Sequence, residues 1–210
     1  MIYLPPHFTE DREEVLLAHI ERHEFGLLVS RGAAGQTASH LPFLVARRDG
    51  QLLLQAHVAR ANPQVADLDQ GGEALAIFSG PHAYVSPSWY AAGPAVPTWN
   101  YAAVHAYGEA RTIRDAAWLR DLVGRLSERH EAREPTPPWR IEDLPERFLA
   151  AMLNGIVGVE LRVSRLEGKF KLSQNRPASD RPRIARALAR RDDPDSRAVA
   201  GLMRERDGLD

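Results

Sequence analysis

In a chain that is 26% charged, the 29 residues from Gly80 to Gly108 (GPHAYVSPSWYAAGPAVPTWNYAAVHAYG) carry no acidic or basic side chain. They hold four of the fifteen prolines, two of the four tryptophans and four of the five tyrosines. Aromatic faces set among prolines, with Thr98 and Asn100 as polar handles, suit the wall of a pocket for a flat, partly apolar ligand. The same residues also suit a proline-rich connection laid over a core. Disorder is disfavoured, because disordered segments are poor in aromatics. His82 and His105 are the groups here that can transfer a proton, and a satisfied structural histidine is the competing role for each.

A second place for chemistry is HVARANPQ at 57–64. Asn62 followed by Pro63 is a helix start, with Asn62 as the cap and Pro63 in the first helical position. Arg60 beside such a start combines a fixed cation with backbone N–H donors, which suits a phosphate; a surface arginine beside a cap has the same sequence. His19 and His23 stand four apart as two metal ligands would. No third ligand follows at metalloprotease spacing and Glu21 is wrongly placed for that motif, so no metal site is assigned. No Ser-His-Asp or paired-carboxylate pattern stands out, which disfavours hydrolase chemistry, and no catalytic residue is assigned.

The elements that must position these groups can be read in order. Thr9 is a helix cap, with Glu10, Asp11, Glu13 and Glu14 in the first turn and Gly26 as the stop. Phe25–Ser30 and Thr37–Arg47 read as a hairpin joined by Arg31-Gly-Ala-Ala-Gly35. Pro42 interrupts the second strand, which implies an edge, a bulge or a place where something else takes the hydrogen bond. Asp49-Gly50 is a tight-turn signal before a third strand, Gln51–Val58, and Glu73–Ser79 is a fourth. From Tyr101 to Thr112 the residues alternate. Ala102, Val104, Ala106, Gly108 and Ala110 form a face of small side chains that something bulky must approach closely. Asp115 caps a helix to about Glu131, ended by Pro135, Pro137 and Pro138. Asp143, or the Leu144-Pro145 pair, opens another through Phe148, Leu149 and Met152. Ile156–Val163 is a strand with Val157, Val159, Leu161 and Val163 on one face and Glu160 and Arg162 on the other, and it continues toward Arg176.

Residues 176–207 carry nine arginines against six acids, a local excess of 9 − 6 = +3. Two short helices marked by Ile184, Ala187, Leu188 and by Val199, Leu202, Met203 flank Asp192-Asp193-Pro194-Asp195. A pair of arginine-bearing helices raises the question of DNA contact, but the excess is small and the turn between them acidic. Over the whole chain the net charge is −1, no electrostatic footprint for nucleic acid or an anionic membrane. The absence of cysteine excludes disulfides, thiolate metal sites and cysteine nucleophiles. No apolar run approaches the roughly 20 residues that cross a bilayer, and the acidic N-terminal region does not read as a signal peptide. A cytoplasmic location is expected. Six or more strands without regular β-α alternation predict an antiparallel, barrel-type α+β fold with peripheral helices.

Taken together, MIYLPPHF at 1–8, SHLPF at 39–43, HVARANPQ at 57–64, GPHAYVSPSWY and VPTWNY in the central stretch, and GKFKLSQNR at 168–176 resemble the PaiB family of FMN-binding negative transcriptional regulators. The resemblance covers residues 1 to about 180. It implies a split β-barrel of the flavin-reductase and pyridoxamine-oxidase type over residues 1–178, with 179–210 as a C-terminal helical extension. It further implies a homodimer with FMN at the subunit interface. On that resemblance Arg60 and Asn62 match the phosphate-binding positions. His40, Leu41 and Pro42, Pro81, His82 and Tyr84, and Thr98, Trp99 and Asn100 match the surroundings of the ring, with Lys171 and Gln174 as further polar groups. The regulatory label belongs to the family and does not follow from these residues. An FMN-dependent oxidoreductase on the same barrel, a flavin reductase or small-molecule oxidase, is the alternative.

Overall fold

The computed structural model describes residues 2–33, 35–134 and 138–208. It resolves into two compact units. The first comprises Met1–His19, Ser79–His105 and Leu166–Asp210, and the second Ile20–Phe78 and Ala106–Arg165.

The second unit is built on β2 (Phe25–Gly32), β3 (Gly35–Pro42), β4 (Leu44–Arg48) and β5 (Gln51–Ala59). It also takes the first part of β6 (Glu73–Val85), the latter part of β7 (Thr98–Ile113) and the first part of β8 (Ile156–Lys171). Their order is β3-β2-β6-β7-β8-β5-β4, with antiparallel pairing of β2 to β3 and β6, and of β5 to β4 and β8. The expected single strand from Thr37 to Arg47 is therefore two. Pro42, with no N–H to extend the ladder, ends β3 opposite Phe25, and Phe43 alone separates it from β4. Because β3 and β4 stand at opposite ends of the strand order, this one-residue link closes the sheet on itself. Phe43 is buried edge-on against Phe78 at 5.4 Å, and its N–H reaches the Glu24 carbonyl at 2.9 Å.

The small-residue face of β7 does meet a close neighbour. A Cβ at Gly108 would lie 2.0 Å from the carbonyl oxygen of Arg162, so glycine is what lets the two backbones approach. On the covering layer, α3 (Ala116–Glu131) starts where Asp115 accepts the Trp118 N–H at 2.8 Å, as its sequence predicts. Leu119 of α3 packs with Ile141 and with Leu149 and Leu153 of α4 (Glu146–Asn154), and the Trp118 ring lies where a Cβ at Gly158 would stand. Between β5 and β6 runs the short α2 (Gln64–Asp69), one residue later than expected, with Asn62 Oδ1 accepting the Gln64 N–H at 2.9 Å. Pro135 and Pro137, expected to end α3, and Ala34 of the expected turn lie outside the described residues.

In the first unit, Thr9 is not a helix cap. Thr9–Glu10 forms a short strand, β1, paired with Lys169 and Gly168 of β8, and α1 (Glu13–Arg22) begins later. Glu10 instead holds the residue that precedes the helix: its carboxylate accepts the Arg12 N–H at 3.1 Å and the Arg12 guanidinium at 2.8 and 2.7 Å. The fourth expected strand also runs on past Ser79. Buried positions in β6 are Ala74, Ala76 and Phe78, then Pro81, Ala83 and Val85. The alternation slips by one around Gly80, where a strand can absorb a proline. After β8 come α5 (Arg181–Ala189), which buries Ile184, Ala185 and Leu188 rather than Ala187, and α6 (Pro194–Asp207), which buries Val199, Ala200 and Met203. Asp193 caps α6 through the Ser196 N–H at 2.7 Å, and that bond holds its carboxyl down at about 2.

Candidate functional site

In the second unit the candidates are His40, Leu41 and Pro42 of β3 and Arg60 and Asn62 of the segment before α2, and the last two are held by specific bonds. Arg60 follows β5, and its exposed guanidinium lies across the end of α4. Nε donates to the Asn154 carbonyl at 2.5 Å and Nη2 to the Ile156 carbonyl at 3.3 Å. Of five N–H donors this engages two, and leaves a guanidinium whose direction is set by backbone. Asn62 is half-buried and divides its amide, Nδ2 donating to Ser39 Oγ at 3.0 Å while Oδ1 caps Gln64. Ser39 precedes the exposed His40, whose ring stacks on Phe25 with centroids 6.1 Å apart. Leu41 points inward and Pro42 ends the strand. Below this corner Gln64, fully buried, donates from Nε2 to Leu28 O, Ser30 Oγ and Thr37 O at 3.1–3.2 Å. Asn62 and Gln64 thus pin the start of α2 to the β2-β3 hairpin.

In the first unit, three strands bring six side chains onto one face, on which Lys169 is buried. His82 and Tyr84 of β6 flank Trp99 of β7, with ring centroids 5.6 and 6.3 Å away. Two residues on, Tyr101 lies 5.6 Å from the Lys169 ammonium of β8. Lys171, next on that face of β8, donates to the Thr98 hydroxyl and to the Trp99 carbonyl. Burial pushes the Lys171 pKa below its ordinary value, and the charges of Lys169 and Arg176 push it the same way. His82 Nε2 lies 3.6 Å from an Asp195 carboxylate oxygen, both side chains being more than half exposed. Burial also lowers the His105 pKa, against the pull of Glu167.

Three of the sequence candidates in this unit have other employment. Asn100 is wholly buried, its Nδ2 donating to Ser173 Oγ at 2.9 Å and its Oδ1 accepting from the same hydroxyl at 3.1 Å. Gln174 folds back on its own backbone, Oε1 accepting the Leu172 N–H at 2.6 Å and Nε2 donating to the Phe170 carbonyl. Pro81 is buried. These residues shape the strands and present no polar atom outward.

Sequence reasoning missed Glu160. Placed with Arg162 on the face of β8 opposite Val157 and Val159, it is only 2% exposed, because charged partners cover it. Arg48 reaches it at 2.8 Å, Arg111 at 2.6 Å and Gln55 at 2.8 Å, and a charged cleft of about 710 Å³ opens alongside. His57, in the HVARANPQ segment, was likewise passed over. Its Nδ1 is buried with no hydrogen-bond partner among the described residues, and burial lowers its pKa, which favours a neutral ring. No signal local to either residue reveals this. Among the described residues, no group of three or more His, Cys, Asp or Glu is placed to hold a metal ion, and no helix is long and apolar enough to cross a membrane.

A family described as "Putative FMN-binding domain" matches residues 2–165. Over 205 residues the chain is 31% identical to the Protease synthase and sporulation protein PAI 2 of Bacillus subtilis (strain 168), covering 98% of each chain. Among solved structures it is similar to the FAD and heme binding protein from Mycobacterium smegmatis, with a TM-score of 0.55 at 13% identity over 78% of this chain and 73% of that one. It is also similar to the flavocytochrome Anf3 from Azotobacter vinelandii, with a TM-score of 0.53 at 16% identity over 78% and 69%. At such identities the likeness shows the fold alone, an α+β split barrel as expected.

Proposed function

The chain belongs to the PaiB family of FMN-binding proteins, and on that premise we propose that it is a cytoplasmic, FMN-dependent regulatory protein that lowers transcription. One observation carries the cofactor half of the reading. Arg60 is anchored by two backbone carbonyls and keeps further N–H donors, in the same segment as the Asn62 amide. A directed guanidinium with neutral donors is the donor set that a phosphate monoester needs. When bound, FMN supplies electron or hydride transfer, or serves as a ligand whose shape and charge report redox state. What Arg60 and Asn62 contribute is retention of the phosphate. We propose that FMN sits at the interface of a homodimer. The regulatory half is supported by the end-to-end similarity to the sporulation protein of Bacillus subtilis.

A second reading, an FMN-dependent oxidoreductase, is favoured by His82. Its ring lies beside Trp99 and its Nε2 beside Asp195, an arrangement that can pass a proton at a flavin edge. One experiment separates the two. The visible spectrum of the purified protein is recorded, then repeated after FMN and after NADH or NADPH. A bound flavin that stays oxidised supports the regulator, and one that bleaches with turnover supports the enzyme. A protein that takes up no FMN sinks both.

A further inference from the structure

We propose that the charged cleft of the second unit, lined by Arg48, Arg111, Arg162, Glu109 and Glu160, binds a free acidic amino acid, a small molecule with two carboxylates and one ammonium. The cleft has a volume of about 710 Å³, and none of its residues is among those that match the surroundings of the flavin. Gln51 lines it at one end of β5, whereas Arg60 follows the other end, and the nine residues of that strand span about 30 Å. At its floor the Glu160 carboxylate is saturated. Its Oε1 accepts Arg48 Nη1 at 3.2 Å and Arg111 Nε and Nη2 at 3.1 and 2.6 Å. Its Oε2 accepts Arg48 Nη2 and Gln55 Nε2, each at 2.8 Å. Two guanidinium groups are thereby fixed while their side chains stay 49% and 62% exposed, and each keeps three of its five N–H donors. Arg162 is held in turn by Gln51, its Nε donating to Oε1 at 3.2 Å, and Gln51 is itself tied to the Leu52 and Val163 carbonyls. Among the described residues Arg162 has no carboxylate within salt-bridge distance.

The charges decide the class of ligand. Glu160 cancels one of three guanidinium charges, which leaves 3 − 1 = +2 on groups already held in place, so binding costs little rotamer freedom. Two exposed acids of the lining oppose them, Asp49 and Glu109. Asp49 acts on Arg48 from the adjoining turn. Glu109 follows Gly108, which abuts the Arg162 backbone, and no ion pair engages it among the described residues. A simple dianion would meet repulsion from Glu109, and a lone cation would meet it from the guanidinium groups. An acidic amino acid uses all three kinds of partner. Its adjacent α-carboxylate and ammonium suit the neighbours Arg162 and Glu109, and its side-chain carboxylate suits the free donors of Arg48 and Arg111.

The test is calorimetric titration of the purified protein with L-glutamate and with three analogues that each lack one group. Glutarate lacks the ammonium, γ-aminobutyrate the α-carboxylate and L-glutamine the side-chain charge. L-Glutamate is expected to bind on the order of 10-fold more tightly than each, the effect of one charge-assisted contact. Arg162→Gln should weaken L-glutamate by a similar factor and leave γ-aminobutyrate unchanged, since that analogue brings no carboxylate to Arg162. Glu109→Gln should weaken L-glutamate and spare glutarate. Arg60→Ala should bind L-glutamate as the parent protein does. Absence of L-glutamate binding, equal affinity for the four probes, or an unchanged affinity in Arg162→Gln overturns the proposal. Loss of binding in Arg60→Ala overturns it too, by moving the ligand to the phosphate corner. Circular dichroism of each variant separates loss of the site from loss of fold, and failure here leaves the FMN reading intact.

Discussion

Glu160 accepts the Arg111 guanidinium at 2.6 Å, joining β8 to β7 through a carboxylate that water hardly reaches. Burial pushes the Glu160 pKa up, but hydrogen bonds from Arg48, Gln55 and Arg111 outweigh it and hold the carboxyl below its usual range. A folded-state value below the unfolded one gives stability that is fully present above the unfolded pKa of about 4.3 and lost as pH falls through the folded value. Glu160→Gln should therefore cost roughly 1–3 kcal/mol at neutral pH, and flatten the loss of stability below about pH 4.3. Urea unfolding of both proteins at pH 7 and at pH 4 checks this. Parallel pH profiles would show that the network contributes nothing through ionisation.

Gly108 permits an approach that any side chain forbids, because the obstacle is the Arg162 backbone carbonyl and not a flexible side chain. Gly108→Ala should force β7 and β8 apart and cost roughly 1–3 kcal/mol, as overpacking does. A urea midpoint equal to that of the parent protein would mean that the strands separate freely there.

For the homodimer, light scattering at micromolar concentration should return about twice the 23.4 kDa chain mass. A monomer mass would remove the subunit interface as the place for FMN.

DNA binding through the last two helices should be weak and strongly salt-dependent. Arg181, Arg191, Arg197 and Arg206 are each engaged by a carboxylate of the chain, and Arg183 by the Trp89 carbonyl. Three of those carboxylates are already counted in the +3, and Glu10 offsets one charge more, so about 3 − 1 = +2 remains and few phosphates can be neutralised. Nanomolar, sequence-specific retention of a DNA fragment at physiological salt would contradict this.

What the sequence revealed was what depends on near neighbours. Asp115 as a cap, the alternation of β7 and the need for Gly108 all follow from spacings of two to four residues. The hidden features join distant positions: Glu160 finds Arg48 across 112 residues and Arg111 across 49, and Arg60 finds Asn154 across 94. Proline misled twice. Pro42 separates two strands instead of interrupting one, and Pro81 lies within β6 because the alternation slips beside it. Thr9 reads as a cap in isolation, yet strand pairing with Lys169 overrides it and the helix starts later, after Arg12. At the candidate site, a residue's type gives the chemistry of its side chain but not its direction. Asn100 and Gln174 turn inward, whereas Trp99 and Lys171 of the same segments line an outward face.

The central claim is that the Arg60 corner holds the FMN phosphate, and the direct measurement is a titration of FMN and riboflavin into the parent protein and Arg60→Ala. Loss of a charge-assisted partner worth roughly 1.5–3 kcal/mol should weaken FMN about 10- to 150-fold. Riboflavin, which lacks the phosphate, should bind both proteins almost equally. Equal losses for the two flavins would contradict the claim and make Arg60 a support for the end of α4. Unchanged FMN affinity would contradict it as well, and put the phosphate elsewhere.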